Sequence, residues 1–242
     1  MGYCSSCLIS CKGFLEPIDG RSQHSLKAFH NSNLSMGNFR HLTLSIATTF
    51  EFFLAITLLG LFSCAYPDRF RTRLWQDGGL NGWNSNPSLR VYYYANYREP
   101  PPIPMIWDES STRCNLCIAI ITVIVWVARF SIRGRGLDVF SLVIVNALYD
   151  LLLVAMWAYS AIVQSSGDFT DLERISFHPW YLERGCEKAR WQSRRACEVV
   201  AASYGLSVLA TWWFGIRFLA TCMCGAYHLG LEQKEASICS FP

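Results

Sequence analysis

The sequence predicts an all-α membrane protein in which four transmembrane helices form an antiparallel bundle with two large loops on one side. Three observations lead to this fold class. Four apolar runs are separated by polar segments, hydrophobic residues make up 52% of the chain, and charged residues make up only 16%. Soluble domains carry about 25% charged residues, so lipid rather than water is the expected solvent around the apolar runs.

The apolar runs predict spans at residues 41–64, 114–132, 139–163 and 199–224. A helix needs about 20 mostly apolar residues to cross about 30 Å of hydrocarbon, and the first, third and fourth runs reach that length. The second run is shorter, because Arg113 and Arg129 enclose its apolar part. Both side chains can extend to the headgroups and lengthen the span. A buried soluble helix is the alternative for this run alone.

Polar segments flank this transmembrane domain, residues 41–224. Residues 1–40 show little hydrophobic periodicity and predict a mobile N-terminal arm, and residues 225–242 predict a short C-terminal tail. The first forty residues are polar and mixed in charge, so we expect no removable signal peptide. The chain is therefore expected to form one bundle with two tails.

The first large loop, residues 65–113, is rich in aromatic side chains. It contains Trp75, Trp83 and the valine–tyrosine run at 91–94. Trp and Tyr at this density favour a membrane interface, where the ring is buried and its polar tip is hydrated; a disordered loop is the alternative. The proline cluster at 100–104 predicts an extended polyproline conformation.

We expect both termini to be cytosolic, from the myristoylation pattern and the loop cysteines described below, although the raw count of basic residues favours the opposite orientation. Arg129, Arg133 and Arg135 lie in or beside the tight turn between spans two and three, and short loops rich in Lys and Arg stay cytosolic. The opposite orientation is favoured by the basic residues that follow span one and precede span four. These are Arg69, Arg71, Arg73, Arg184, Lys188, Arg190, Arg194 and Arg195.

Modification sites bear on the same choice. Gly2 with Ser6 fits the loose myristoylation pattern, which is a cytosolic modification. Palmitate on a nearby cysteine would supply the second anchor that stable attachment needs. The lipidation candidates are Cys4, Cys7 and Cys11 on the arm, and Cys222 and Cys224 at the end of span four. Asn33 instead begins a glycosylation sequon, which would place the arm outside and exclude myristate on Gly2.

Ionisable side chains inside the spans are candidates for a site. Glu51 lies in span one, Asp150 in span three and Arg217 in span four, and Asn146 shares a helix face with Asp150. Each charge costs about 2.5–3.5 kcal/mol at mid-depth, so these groups seek partners. We expect a structural polar clasp that fixes which spans touch, because no second polar rank continues a path. A proton or solute path through a small transporter is the alternative.

Two cysteine pairs are candidates for disulfides. Cys186 and Cys197 lie within one loop, and a bond between them would require a lumenal or extracellular face. Cys114 and Cys117 form a C-x-x-C at the mouth of span two. This combination resembles DsbB-type and vitamin-K-epoxide-reductase-type four-helix thiol oxidoreductases. That resemblance implies a shuttle at the loop pair and a quinone-facing pair at the C-x-x-C. Stabilising or unpaired thiols are the alternative.

A second resemblance covers spans three and four. Tyr149-Asp150-Leu151-Leu152-Leu153 precedes Met156-Trp157-Ala158, and the next loop contains Pro179-Trp180-Tyr181-Leu182, Cys186 and Cys197 before a small-residue fourth span beginning Val200-Ala201-Ala202-Ser203-Tyr204. This order, over about a third of the chain, resembles MARVEL-type tetraspan proteins, especially fungal ones. The long proline-rich first loop and Arg217 depart from that pattern. The resemblance implies cytosolic termini and a role in membrane apposition, vesicle traffic or lateral organisation, without enzymatic chemistry.

Composition and spacing argue against several function classes. The net charge of +3 is small and spread out, so we expect no nucleic-acid partner. The five histidines are scattered, so no metal site is predicted. We assign no catalytic residue and no cofactor. The expected partners are the lipid bilayer and either other membrane proteins or further copies of the chain, in the plasma membrane or an endomembrane.

Overall fold

The computed structural model describes residues 23–67, 69–133 and 139–239, with the backbone alone over much of the two terminal stretches. Within these residues the chain forms seven α-helices and two short 3-10 turns. The helices are α1 (Gln23–Ala65), α2 (Arg69–Leu80), α3 (Ser88–Ala95), α4 (Glu109–Arg133), α5 (Val139–Gln164), α6 (Trp180–Arg184) and α7 (Arg194–Cys239), and the turns are Met105–Trp107 and Cys186–Lys188.

Four of these helices are long and apolar enough to cross a membrane, which confirms the predicted all-α fold class. Their spanning segments are Ser45–Ala65, Glu109–Ile132, Phe140–Gln164 and Arg194–Tyr227. Large apolar side chains on their outer faces are exposed, Phe53, Ile124 and Leu148 among them. Such exposure is expected where lipid surrounds the helices. In the described part of the chain the extended pairing is a single antiparallel bridge between Asp168 and Ser176.

The terminal helices are longer than the predicted spans. Helix α1 begins at Gln23, so the second half of the predicted mobile arm is helical, and α7 continues to Cys239 through most of the predicted tail. Extending an existing helix costs less than nucleating a new one. No proline interrupts either extension, and Pro67 lies two residues after the end of α1, where its ring cannot continue the helix.

The central helices pair in opposite directions. Three hydrogen-bonded pairs join α4 to α5, and the partner number falls along α5 as it rises along α4. The pairs are Asn115–Ser160, Thr122–Trp157 and Arg129–Asp150. This order identifies α4 and α5 as antiparallel neighbours. Helix α7 packs on the other side of α5, where Ser207 meets Gln164 and Arg217 meets Asp150.

The inward-facing residues of the spans recur every seven positions. Two helical turns take about 7.2 residues, so this spacing keeps one stripe pointing inward. The stripes are Glu51 and Leu58 in α1, Asn115, Thr122 and Arg129 in α4, Asp150, Trp157 and Gln164 in α5, and Ser203, Ala210 and Arg217 in α7. Polar side chains therefore occupy regular positions inside an otherwise apolar bundle.

The two large loops fold together into one unit, which we call the cap (residues 66–108 and 165–193). Trp75 and Trp107 stack with ring centroids 6.3 Å apart, and the indole nitrogen of Trp180 donates to the carbonyl oxygen of Leu74 at 3.0 Å. These tryptophans are buried, so they form a core instead of the membrane belt that their density suggested. The first loop is thus ordered by packing against the second.

Candidate functional site

Four charged side chains meet inside the bundle and form what we call the ionic layer: Glu51, Arg129, Asp150 and Arg217. Arg129 donates through one terminal nitrogen to Glu51 at 2.8 Å and through the other to Asp150 at 2.5 Å. Arg217 also donates to Glu51 and lies 3.7 Å from Asp150. Two positive and two negative charges balance, which is what buried ionic groups in a membrane require.

The carboxylates are the most deeply buried members of this layer. Asp150 has no exposed surface and Glu51 is 4% exposed, whereas the Arg217 side chain is 27% exposed. Arg129, at 9%, bonds both carboxylates and so connects α1, α4 and α5 at one point. The ionic layer therefore cross-links the spans and fixes their relative positions.

Three of the four predicted clasp residues belong to this layer, and one does not. Glu51, Asp150 and Arg217 meet as expected. The side chain of Asn146 instead donates to the carbonyl oxygen of Leu142 one turn earlier, at 2.8 Å. An asparagine in a helix can satisfy its amide in this local way, so sharing a face with Asp150 was not sufficient for membership.

Arg129 is the member that the sequence interpretation missed. Because it lies near the end of the second apolar run, its side chain is expected to extend to the lipid headgroups. In the structure α4 continues to Arg133, and Arg129 turns inward. The signal that could have identified it is its spacing of seven and fourteen residues from Thr122 and Asn115, the other polar residues on the inward stripe.

A second polar rank lies towards the cap, and we call it the amide–hydroxyl layer: Asn115, Ser160, Gln164 and Ser207. Ser160 donates to the amide oxygen of Asn115 at 2.8 Å. The Gln164 amide nitrogen donates to Ser160 at 2.9 Å and to Ser207 at 3.0 Å. All four side chains are buried. The expectation that no second polar rank exists was therefore wrong, because this rank consists of uncharged side chains and the prediction rested on the ionisable ones.

An apolar layer separates the two polar ranks. Asp150 and Ser160 are ten residues apart on α5, or about 15 Å at 1.5 Å per residue. Leu58, Leu153 and Phe214 fill the space between them and have no exposed surface. Thr122 lies in this layer, where its hydroxyl donates to the carbonyl oxygen of Ile118 at 2.8 Å and accepts from the indole nitrogen of Trp157 at 3.0 Å. The described side chains thus form two separate polar ranks and no continuous hydrophilic path.

A disulfide fastens the cap to the start of α7. Cys186 and Cys197 are bonded, as predicted, and Cys197 has no exposed surface. Asp77 in α2 accepts from the backbone nitrogen of Arg190 at 3.0 Å, and Ser85 donates its hydroxyl to Asp168 at 2.5 Å. These bonds tie the first loop to the second across the cap.

Tyr181 lies at the centre of this packing. Its side chain is buried beside Trp107 and Trp180, and its hydroxyl has no hydrogen-bond partner among the described residues. Burial disfavours the phenolate and raises the pKa of Tyr181 to about 12. Tyr181 therefore belongs to a buried aromatic cluster within the cap.

The remaining cysteines are unbonded where the structure describes them. Cys114 and Cys117 are free, so the predicted disulfide between them is not formed: Cys114 is half-buried against the bundle core while Cys117 is exposed on the outer face. The lipidation candidates Cys222 and Cys224 are also free thiols. Gly2, Cys4, Cys7 and Cys11 lie outside the described residues, and Asn33 lies where α1 is described by its backbone alone.

Two open clefts lie on the cap. One, of about 610 Å³, is lined by α3 and the proline segment that follows it, and the other, of about 500 Å³, lies between α2 and residues 190–193. Neither is lined by a residue of the four spans. Within the described ranges no group of His, Cys, Asp and Glu side chains could hold a metal ion.

Comparison of the chain with protein-family models, curated proteins and solved structures gives no match.

Proposed function

We propose that this protein is a non-catalytic, MARVEL-like organiser of membrane domains or of vesicle traffic. The observation that carries the proposal is the ionic layer, in which a single guanidinium bonds carboxylates from two other helices. Such cross-links hold spans in one arrangement, because lipid supplies no hydrophobic force between helices and polar bonds and close packing must do so. A rigid bundle is what a structural membrane component needs.

The disulfide of the cap favours one orientation of the protein in the membrane. Disulfides form and persist in oxidising compartments, so the bond between Cys186 and Cys197 favours a lumenal or extracellular cap. The even number of spans then leaves both termini in the cytosol. A folded, disulfide-bonded cap would present a fixed surface to other membrane proteins or to further copies of the chain.

Two features weigh against the alternatives of a transporter and a thiol oxidoreductase. A transporter needs a polar route, and the apolar layer around Leu153 and Phe214 interrupts one. A thiol shuttle needs a loop sulfur that another thiol can reach, and the full burial of Cys197 leaves only the partly buried Cys186 for such an exchange.

Reconstitution of the purified full chain would test the proposal. In giant vesicles with coexisting ordered and disordered lipid phases, we expect the protein to gather into patches at a density where a single-span control peptide stays uniform. Proton and solute flux should equal that of protein-free vesicles. A uniform distribution, together with flux that Asp150→Asn abolishes, would contradict the organiser proposal and indicate a transporter. Quinone reduction that is coupled to dithiol oxidation and is lost in Cys114→Ser would contradict it and indicate an oxidoreductase.

A further inference from the structure

Helix α3 has no buried residue, and most of its side chains are exposed. It spans Ser88–Ala95. Val91, Tyr92 and Tyr94 are more than 60% exposed. A helix this short is marginal in water without a packing partner, so an additional surface is expected to hold it. Its tyrosines and arginine, with no acidic residue between Ser88 and Ala95, suit the interfacial zone of a membrane.

The open cleft of about 610 Å³ lies between α3 and the proline segment. The guanidinium of Arg90 donates to the carbonyl oxygen of Pro101, which holds the two walls together. The lining side chains are Arg90, Tyr94, Tyr97, Arg98 and Glu99, closed by Pro100, Pro101 and Pro102. Residues that carry two guanidiniums, two phenol rings and one carboxylate therefore line one open cleft, and the Tyr97 side chain is fully exposed.

This set of groups is complementary to a zwitterionic headgroup. Guanidinium groups bind phosphate through charge-assisted hydrogen bonds, and Arg90 retains donors beyond the one given to Pro101. Aromatic rings bind quaternary ammonium groups through cation–π attraction, which an adjacent carboxylate reinforces. Arg90 and Arg98 thus match the phosphate of phosphocholine, and Tyr94, Tyr97 and Glu99 match its trimethylammonium group.

A short stretch of chain links the cleft to the second spanning segment. Pro102 precedes Glu109, the first residue of the second spanning segment, by seven residues. A chain of that length extends at most about 25 Å. Ile106 and Trp107, which lie between them, are buried in the cap, and Arg71 donates to the carbonyl oxygen of Ile106 at 3.0 Å. The proline wall is thus held near the start of α4.

We propose that this cleft binds the phosphocholine headgroup of a membrane lipid in the leaflet beneath the cap. The lipid phosphate binds Arg90 and Arg98, and the choline lies against Tyr94 and Tyr97. The exposed residues of α3 then rest in the headgroup zone, which supplies the missing packing surface. This site is independent of the proposed organiser function, and either can fail without the other.

Binding of short-chain phosphatidylcholine below its micellar concentration tests the proposal. The full-length protein would be held in a choline-free maltoside detergent and titrated by calorimetry. We expect phosphatidylcholine to bind more tightly than phosphatidylglycerol. Arg98→Gln should weaken phosphatidylcholine binding about tenfold, since a hydrogen bond to a charged group contributes about that factor. Tyr97→Leu should weaken it about two- to fivefold and leave phosphatidylglycerol binding unchanged. Arg98 and Tyr97 are chosen because Arg90 also holds Pro101.

Matched controls separate the cleft from general surface effects. Arg195→Gln and Tyr92→Leu remove an exposed arginine and an exposed α3 tyrosine that do not line the cleft, and both should bind like the unaltered protein. Equal affinity for the two lipids, or equal losses in Arg98→Gln and Arg195→Gln, would overturn the site. Free phosphocholine distinguishes the source of the ligand. If it binds as tightly as the lipid, the cleft recognises a soluble phosphocholine group instead of a membrane lipid, and the proposal is wrong.

Discussion

Replacing Arg129 with leucine removes a guanidinium that donates to both carboxylates of the ionic layer, at 2.8 Å and 2.5 Å. Glu51 and Asp150 then share Arg217 alone, which leaves one excess negative charge inside the bundle. An unpaired charge in a spanning helix costs about 2.5–3.5 kcal/mol, so we expect Arg129→Leu to lower the free energy of unfolding by about that amount.

The other arginine should matter less. Arg217→Leu leaves Arg129 bonded to both carboxylates, and the Arg217 side chain is 27% exposed against 9% for Arg129. The expected loss is that of one hydrogen bond to a charged group, about 1.5–3 kcal/mol, towards the lower end because of this exposure. Arg113→Leu is the matched control on the same helix, since its ion pair with Glu109 is exposed and its loss should change the free energy of unfolding little.

A double substitution tests whether the charges act together. Arg129→Leu combined with Asp150→Leu leaves the neutral pair of Glu51 and Arg217, so it should recover much of the loss and give a coupling energy above about 1 kcal/mol. Unfolding in mixed micelles, followed by tryptophan fluorescence as the fraction of dodecyl sulfate rises, would measure the unaltered protein, Arg129→Leu, Asp150→Leu and the double variant, alongside Arg217→Leu and Arg113→Leu. The proposed cross-link between the spans would be refuted if the losses in the free energy of unfolding simply add. It would also be refuted if the loss in Arg129→Leu is no greater than that in Arg113→Leu.

Three further outcomes are expected in the cap and the spans. Replacing Cys186 and Cys197 together with serine opens a loop whose ends are 11 residues apart and should destabilise the cap by about 3 kcal/mol, measured as a lower thermal midpoint under oxidising conditions only. Raising the pH from about 10 to 12 should reduce stability by up to about 3 kcal/mol, because the unfolded Tyr181 loses its proton near 10 and the folded one near 12. Tyr181→Phe should remove that part of the pH dependence. Gly167→Ala should cost about 1–3 kcal/mol, because its Cβ would contact the carbonyl oxygens of Ser176 and Phe177, whereas Gly205→Ala meets nothing within 4 Å and should be nearly neutral.

The spans were predictable because lipid imposes a simple length and composition on each crossing helix. The charges were partly predictable for the same reason, since Glu51, Asp150 and Arg217 stand out within apolar runs. Arg129 did not stand out, because an arginine near the end of a span can either extend to the headgroups or bond a buried partner. Its partner Glu51 lies 78 residues away, and only the folded bundle shows that they meet.

The cap could not be predicted from local sequence. Its bonds join residues far apart, as in Trp180 with Leu74 at a separation of 106 and Ser85 with Asp168 at 83. Aromatic density alone does not distinguish a ring in a headgroup zone from a ring in a protein core. Trp75 and Trp107 are in the core while Tyr92 and Tyr94 are exposed, so one loop contains both buried and exposed aromatic rings.

The two polar ranks have different consequences for how the bundle is held. The amide–hydroxyl layer is uncharged, and in lipid each of its hydrogen bonds contributes only about 0.6 kcal/mol on average. The ionic layer carries the larger penalty for misalignment, because a shift of α4 by one turn would move Arg129 about 5.4 Å from both carboxylates. Alignment of the spans is therefore specified mainly at the end distant from the cap. At the other end the disulfide and the tryptophan core of the cap restrain the loops, so each end of the bundle is fixed by a different kind of interaction.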